Sequence, residues 1–234
     1  TTGGVGQFTI GTFTADATTQ VLTITGNSSS QFQSMQVRNI SGLGLANGVW
    51  NTTTTNLTWS TSANWLGSSV ASGTAMMANF GAVDIPGDTT ARLDSARTIG
   101  SLIFGDTNTT TAGSWTLDNN GTPANVLTLA GTAPSITVNT LGTGKLTTIS
   151  ANIAGTSGLL KAGAGILSLT GTNTFSGGVS ASGGTLRFNS DAALGDSGNA
   201  ITVTGAATLQ LGATIASNSR NITLGAATTL DTNG

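Results

Sequence analysis

The sequence predicts an all-β protein built as a parallel β-helix, or β-solenoid, and three observations carry that prediction. Between Gly158 and Phe188, short alternating apolar runs (Ile166–Leu169, Val179–Ala181, Leu186–Phe188) are separated by glycine-rich corners. Strands this short cannot bury a face alone and must stack on copies of themselves. Ile201-Thr-Val-Thr-Gly-Ala-Ala-Thr-Leu then recurs as Ile222-Thr-Leu-Gly-Ala-Ala-Thr-Thr-Leu, a displacement that matches the length of one coil. Finally, helix signals are nearly absent: without glutamate and with two lysines, almost no i,i+4 charge pairs can be drawn.

Three zones follow along the chain. Residues 1–46 hold period-two runs at Gln7–Ile10, Thr12–Ala15, Val21–Thr25 and Phe32–Ile40, separated by polar turns, and read as part of a small β-sheet segment. Residues 47–91 contain Trp50, Trp59 and Trp65 with Met76, Met77 and Phe80, and a proline–glycine turn at Pro86-Gly87. Alternation is weak there, which predicts an irregular Trp-rich cap or an incomplete first coil. Residues 92–234 are the predicted solenoid, with strands at Thr98–Phe104, Ser114–Leu117, Val126–Leu129, Ile136–Val138 and Leu146–Ile149. The Gly158–Phe188 stretch follows, then Ile201–Val203, Leu209–Leu211, Ile215, Ile222–Leu224 and Thr229-Leu230. At roughly 20 residues per coil this zone supplies about seven coils. Asn189–Gly195 is the single helical candidate, one turn capped by Asn189 or Ser190 and ended by glycine.

Composition narrows the function classes. Charged residues make up 7% of the chain, against about 25% in an ordinary soluble domain, and 45 threonines wet the surface in their place. Such a surface suits an extracellular polymer or coat. A net charge of −2 from scattered residues supplies no basic patch for nucleic acid. No apolar run approaches the roughly 18 residues of a membrane helix, and the absence of cysteine removes disulfides and thiolate metal sites. The start at Thr1 and the stop at the turn after Leu230 read as marks of a processed or partial product.

Candidate chemistry is sparse. The acidic groups are nine aspartates, and most sit beside Gly or Asn in turns. Asp191 and Asp196 share one loop, with no base or leaving-group acid placed opposite, so no catalytic residue is assigned. Asp106-Thr-Asn108 and Asp118-Asn-Asn-Gly121 are oxygen-rich loops of the kind that can hold calcium, but none carries three acids, and no cofactor or metal is expected. Trp59 and Trp65, with Trp50, are candidates for a sugar-stacking platform; the alternative is that they bury their rings over an end of the solenoid. Arg97, Arg187 and Arg220 have no partner that the sequence can assign.

Gly158–Phe188 also resembles the autotransporter-associated β-strand repeat, also called the passenger-associated transport repeat. Lys161, Gly163, Gly165, Leu167, Leu169, Gly171, Asn173, Phe175, Gly177, Gly178, Gly184, Thr185 and Leu186 fall on its pattern, with Phe175 in place of the commoner tyrosine. The segment from Trp59 through Phe104 looks like the stretch that precedes such repeats in large bacterial surface proteins. The resemblance implies a right-handed parallel β-helix, secreted across or displayed outside the outer membrane, with a role in passenger transport and folding rather than a reaction. At the family's lysine position, Lys161 is expected as a surface contact or edge gatekeeper. Asn173 is expected to hydrogen-bond turns of adjacent coils.

The expected protein is therefore an extracellular, non-enzymatic structural β-solenoid that self-associates head to tail into a filament. Two other readings are an adhesin or glycan-binding passenger that carries its site on a solenoid stalk, and a degenerate polysaccharide lyase.

Overall fold

Period-two alternation decides the architecture, because many of the strands bury every second side chain. Trp115–Asp118 reads buried, half-buried, buried, half-buried, and Ile201–Val203 follows the same rule. The computed structural model describes residues 45–213, 220–225 and 227–232. The strand expectations for residues 1–44 and for Ile215 lie outside the described residues.

The strands run, in chain order, β1 (Gly48–Val49), β2 (Leu57–Thr58), β3 (Gly73–Asn79), β4 (Thr89–Arg92), β5 (Arg97–Phe104) and β6 (Trp115–Asp118). Next come β7 (Leu127–Leu129), β8 (Ser135–Val138), β9 (Thr147–Ile149), β10 (Ile153–Gly155), β11 (Leu159–Ala162) and β12 (Ile166–Leu169). The last are β13 (Val179–Ala181), β14 (Gly184–Phe188), β15 (Ile201–Val203), β16 (Ala207–Leu211), β17 (Ile222–Leu224) and β18 (Thr229–Asp231).

These strands form two parallel sheets. One runs β1-β3-β5-β8-β11-β13-β15-β17 and the other β2-β4-β6-β9-β12-β14-β16-β18. Each coil places a strand in one sheet and then a strand in the other, which is a parallel β-helix. A short third face branches from β5, whose first half pairs with β7 and whose second half pairs with β8; β10 then pairs with β7.

Register stacks like on like. Leu117, Ile149, Leu169, Phe188 and Leu211 form one inward column, and Trp115, Thr147, Leu167, Leu186 and Leu209 another. Each fully buried aliphatic side chain contributes about 1.5–3 kcal/mol, and a strand of three or four residues gains it only from the coils above and below. The predicted match of the two recurring segments is realised as adjacent rungs, with Ile201 against Ile222 and Val203 against Leu224.

The coil count differs from expectation. The described residues of 92–234 supply six rungs of the first sheet, from β5 to β17, and β1 and β3 from the expected cap supply two more. The step along the chain from one rung to the next is also uneven. It is short from Leu159 to its partner Val179 and much longer from Ser101 to its partner Ser135. Loops between β5, β6, β7, β8 and β9 absorb the difference. They are closed by side-chain bonds such as Asn125 Nδ2 to the carbonyls of Leu93 and Asn119.

β10 and β11 have no counterpart among the expected strands. Ile-Ala-Gly is too short to show alternation, and in Leu159–Ala162 one of the two inward positions belongs to Lys161. The helical candidate is a single 3-10 turn, Asp191–Leu194, ended by Gly195 at φ 76°; the Ser190 side chain makes no capping bond to it.

Candidate functional site

The repeat at Leu159–Phe188 takes three polar residues into the stack, Lys161, Ser168 and Asn173. Lys161 occupies an inward position of β11, in register between Ile136 and Ala181, and is fully buried. Its Nζ donates to the carbonyls of Ala162 at 2.9 Å, Gly163 at 2.8 Å and Gly183 at 2.9 Å. Burial pushes its pKa down to about 8. The expectation of a surface contact or edge gatekeeper is thus overturned. Three N–H groups meet three carbonyls inside the stack, and that satisfaction lets the amine leave water.

Glycine makes this corner possible. Gly163 (φ 78°) and Gly184 (φ 62°) take left-handed conformations, and a Cβ would lie 2.3 Å from Val138 O at the first and 2.4 Å from Gly165 O at the second. Gly165, Gly171 and Gly177 sit at similarly close backbone approaches. Leu167, Leu169, Phe175 and Leu186 fill the interior, and Thr185 is half-buried on the sheet.

Asn173 does what the sequence predicts. Its Oδ1 accepts the Ile153 N–H at 2.7 Å in the preceding coil, and its Nδ2 donates to Ala193 O at 2.6 Å in the following one. Asn199 repeats the device. Its Oδ1 accepts the N–H of Gly178, and its Nδ2 donates to the carbonyls of Phe175 and Leu194, both at 2.9 Å.

Arg220, which the sequence could not partner, clamps the loop below it. Its side chain is 1% exposed, and its Nε and Nη2 donate to the two carboxylate oxygens of Asp191 at 2.6 and 3.0 Å. The same guanidinium donates to the carbonyls of Asp191, Gly195, Asp196 and Asn199. Distance in sequence hid this contact: Asp191 lies 29 residues before Arg220.

The tryptophans offer no platform. Trp50 and Trp59 are fully buried and Trp65 is 2% exposed. Trp59 packs with ring centroids 5.1 Å from Trp65 and 5.4 Å from Phe80, and Phe80 stacks on Phe104 at 5.0 Å. Two of the indole N–H groups are also spent inside, Trp59 on Ala71 O and Trp65 on Trp59 O. The candidate glycan-stacking role of Trp59 and Trp65 is corrected accordingly. Rings this large lose more water-exposed area by packing on one another than a flat sheet surface would allow.

The described aspartates are dispersed over the coils, and several are engaged by backbone N–H groups or basic side chains. Asp106 Oδ1 accepts the N–H of Asn108 and Ile85, Asp118 Oδ1 that of Asn120, and Asp196 Oδ1 that of Gly198. Asp118 also pairs with Arg92 at 3.3 Å. The Ser114 N–H, and after it Lys145 at 3.3 Å, hold the Asp88 carboxyl below the usual carboxylate range. Among the described residues, no group of three or more His, Cys, Asp or Glu side chains converges on a point. No described helix is long and apolar enough to cross a membrane.

No curated protein and no solved structure matches the chain. A family model does match: the passenger-associated-transport-repeat, over residues 159–188. That interval spans the lysine corner and the Asn173 bridge, and a passenger repeat points to a location at the surface or outside the cell. The chain is a parallel β-helix that carries a passenger-associated-transport-repeat in its stack.

Proposed function

We propose that this chain is a non-enzymatic structural stretch of an exported passenger, displayed outside the cell, in which each folded coil is the template for the next. One observation carries the reading: buried polar side chains, two within the repeat and two after it, are spent between coils. Lys161, Asn173, Asn199 and Arg220 each bond groups 20 to 29 residues away. Nearest-neighbour coupling of this kind lets a solenoid grow from one formed coil. The dispersal of the described aspartates, and their use by backbone N–H groups and basic side chains, supports a structural role over a catalytic one. Protease treatment of intact producing cells tests display. Cleavage of the chain without lysis is expected, and protection until the cells are broken would refute the reading.

Self-association is a second reading, favoured by the β17–β18 rung. Ile222, Leu224 and Leu230 are 43%, 47% and 52% exposed, whereas Ile201, Val203 and Leu209, stacked against them, are at most 1% exposed. A further coil stacked there, of this chain or of another copy, would bury all three. Sedimentation of the purified chain is expected to show concentration-dependent assemblies that Leu224→Lys abolishes; a monomer at all concentrations would refute this reading.

A further inference from the structure

Three carbonyl oxygens converge on one point inside the stack. Those of Ala162, Gly163 and Gly183 lie 2.8–2.9 Å from Lys161 Nζ, and backbone carbonyls are the groups that replace water around a desolvated cation. The corner is built to hold them there. Gly163 and Gly184 adopt positive φ, and a Cβ on Gly184 would lie 2.5 Å from Gly163 O and 2.4 Å from Gly165 O. No counter-charge comes from the flanking rungs, since the register neighbours of Lys161 are Ile136 and Ala181. The ion pairs among the described residues do not include Lys161.

We propose that this corner is a cation-binding cradle for a primary ammonium, and that Lys161 is its built-in occupant. The three N–H bonds of an ammonium match the three oxygens; a hydroxyl offers one donor and a quaternary ammonium none. Two of the oxygens belong to one coil and the third, Gly183 O, lies 22 residues on in the next. Occupancy of the cradle therefore ties consecutive coils, and the aliphatic stem of the lysine fills the inward column between Ile136 and Ala181.

Chemical rescue tests this. Lys161→Ala removes the side chain from Cγ to Nζ and leaves the carbonyls, so propylammonium carries the missing atoms. The full chain with this substitution is refolded with propylammonium chloride, 1-propanol or tetramethylammonium chloride, and its melting is followed by circular dichroism. The expected result is a melting temperature below that of the native chain that rises and saturates with propylammonium alone. At ten times the dissociation constant the folding equilibrium should gain about 11-fold. Equal rescue by 1-propanol reduces the site to a void and overturns the proposal, as does no rescue by propylammonium. A second measurement uses the native chain with 15N-labelled lysine: Lys161 should give a slowly exchanging NH3+ signal at pH 7. A neutral or freely exchanging amine overturns the proposal, and this signal decides the question if Lys161→Ala folds with none of the additives.

Discussion

Replacing Asn173 by alanine should break the stack at one known place. The residue is 5% exposed, and its amide serves the Ile153 N–H on one side and the Ala193 carbonyl on the other. Both partners belong to fully buried residues, so water does not substitute for the lost bonds. A buried backbone group left without a partner costs about 1–3 kcal/mol. Two such groups make the expected loss about 2–6 kcal/mol, or about 4–24 °C in melting temperature for a chain of this size. Coupling along a solenoid is between neighbours, so the loss should appear first around β10 and the Asp191–Leu194 turn and not in the tryptophan cluster. Asn173→Asp separates the two bonds, because it keeps an acceptor for Ile153 and lacks a donor for Ala193. Hydrogen exchange followed by mass spectrometry reads this directly: the Ile153 amide should lose protection in the alanine variant and keep it in the aspartate variant. An alanine variant within about 0.5 kcal/mol of the native chain, with Ile153 exchange unchanged, would refute the bridging role.

Other expectations rest on the same accounting. Folded Lys161 titrates at about 8, below its ordinary 10.5, so between those values the unfolded chain binds more protons and stability rises with pH. The gain by pH 10.5 is on the order of 3 kcal/mol, and urea melts of Lys161→Met should lack this rise. Arg220→Ala strips the Asp191 carboxylate and buried carbonyls of their donors and should cost about 3–5 kcal/mol in denaturant unfolding; Arg220→Lys should recover only part of it, because the forked contacts need a guanidinium. Gly121→Ala meets only its positive φ, with no heavy atom within 4 Å, and should cost about 1–2 kcal/mol. Gly184→Ala adds a clash with two carbonyls and should cost more; equal melting temperatures for the two variants would count against the corner geometry.

Much of this architecture is legible in the chain itself. Alternation at Ile166–Leu169, Ile201–Val203 and Ile222–Leu224 is local, and the recurrence of the Ile201 segment at Ile222 states the register outright. The Asn173 bridge is legible as well, because a repeat places the same turn one coil away in each direction. The first coils are harder to read. Loops of unequal length stretch the step between paired strands, as between Ser101 and Ser135, and no sequence period survives that. The tryptophans show the remaining ambiguity, since an exposed sugar platform and a packed aromatic core use the same residue type.

Composition and periodicity thus determine that this chain is a stack of short parallel strands with a low-charge surface. The tertiary structure alone decides which polar groups the stack takes inside. Lys161 reads as a surface charge because burying an amine is costly, and the cost is met only when corners 22 residues apart bring their carbonyls to one point. Arg220 and Asp191 are likewise joined only by the stacking of one coil on another. Side-chain period is a property of neighbours in sequence, whereas desolvation is a property of neighbours in space.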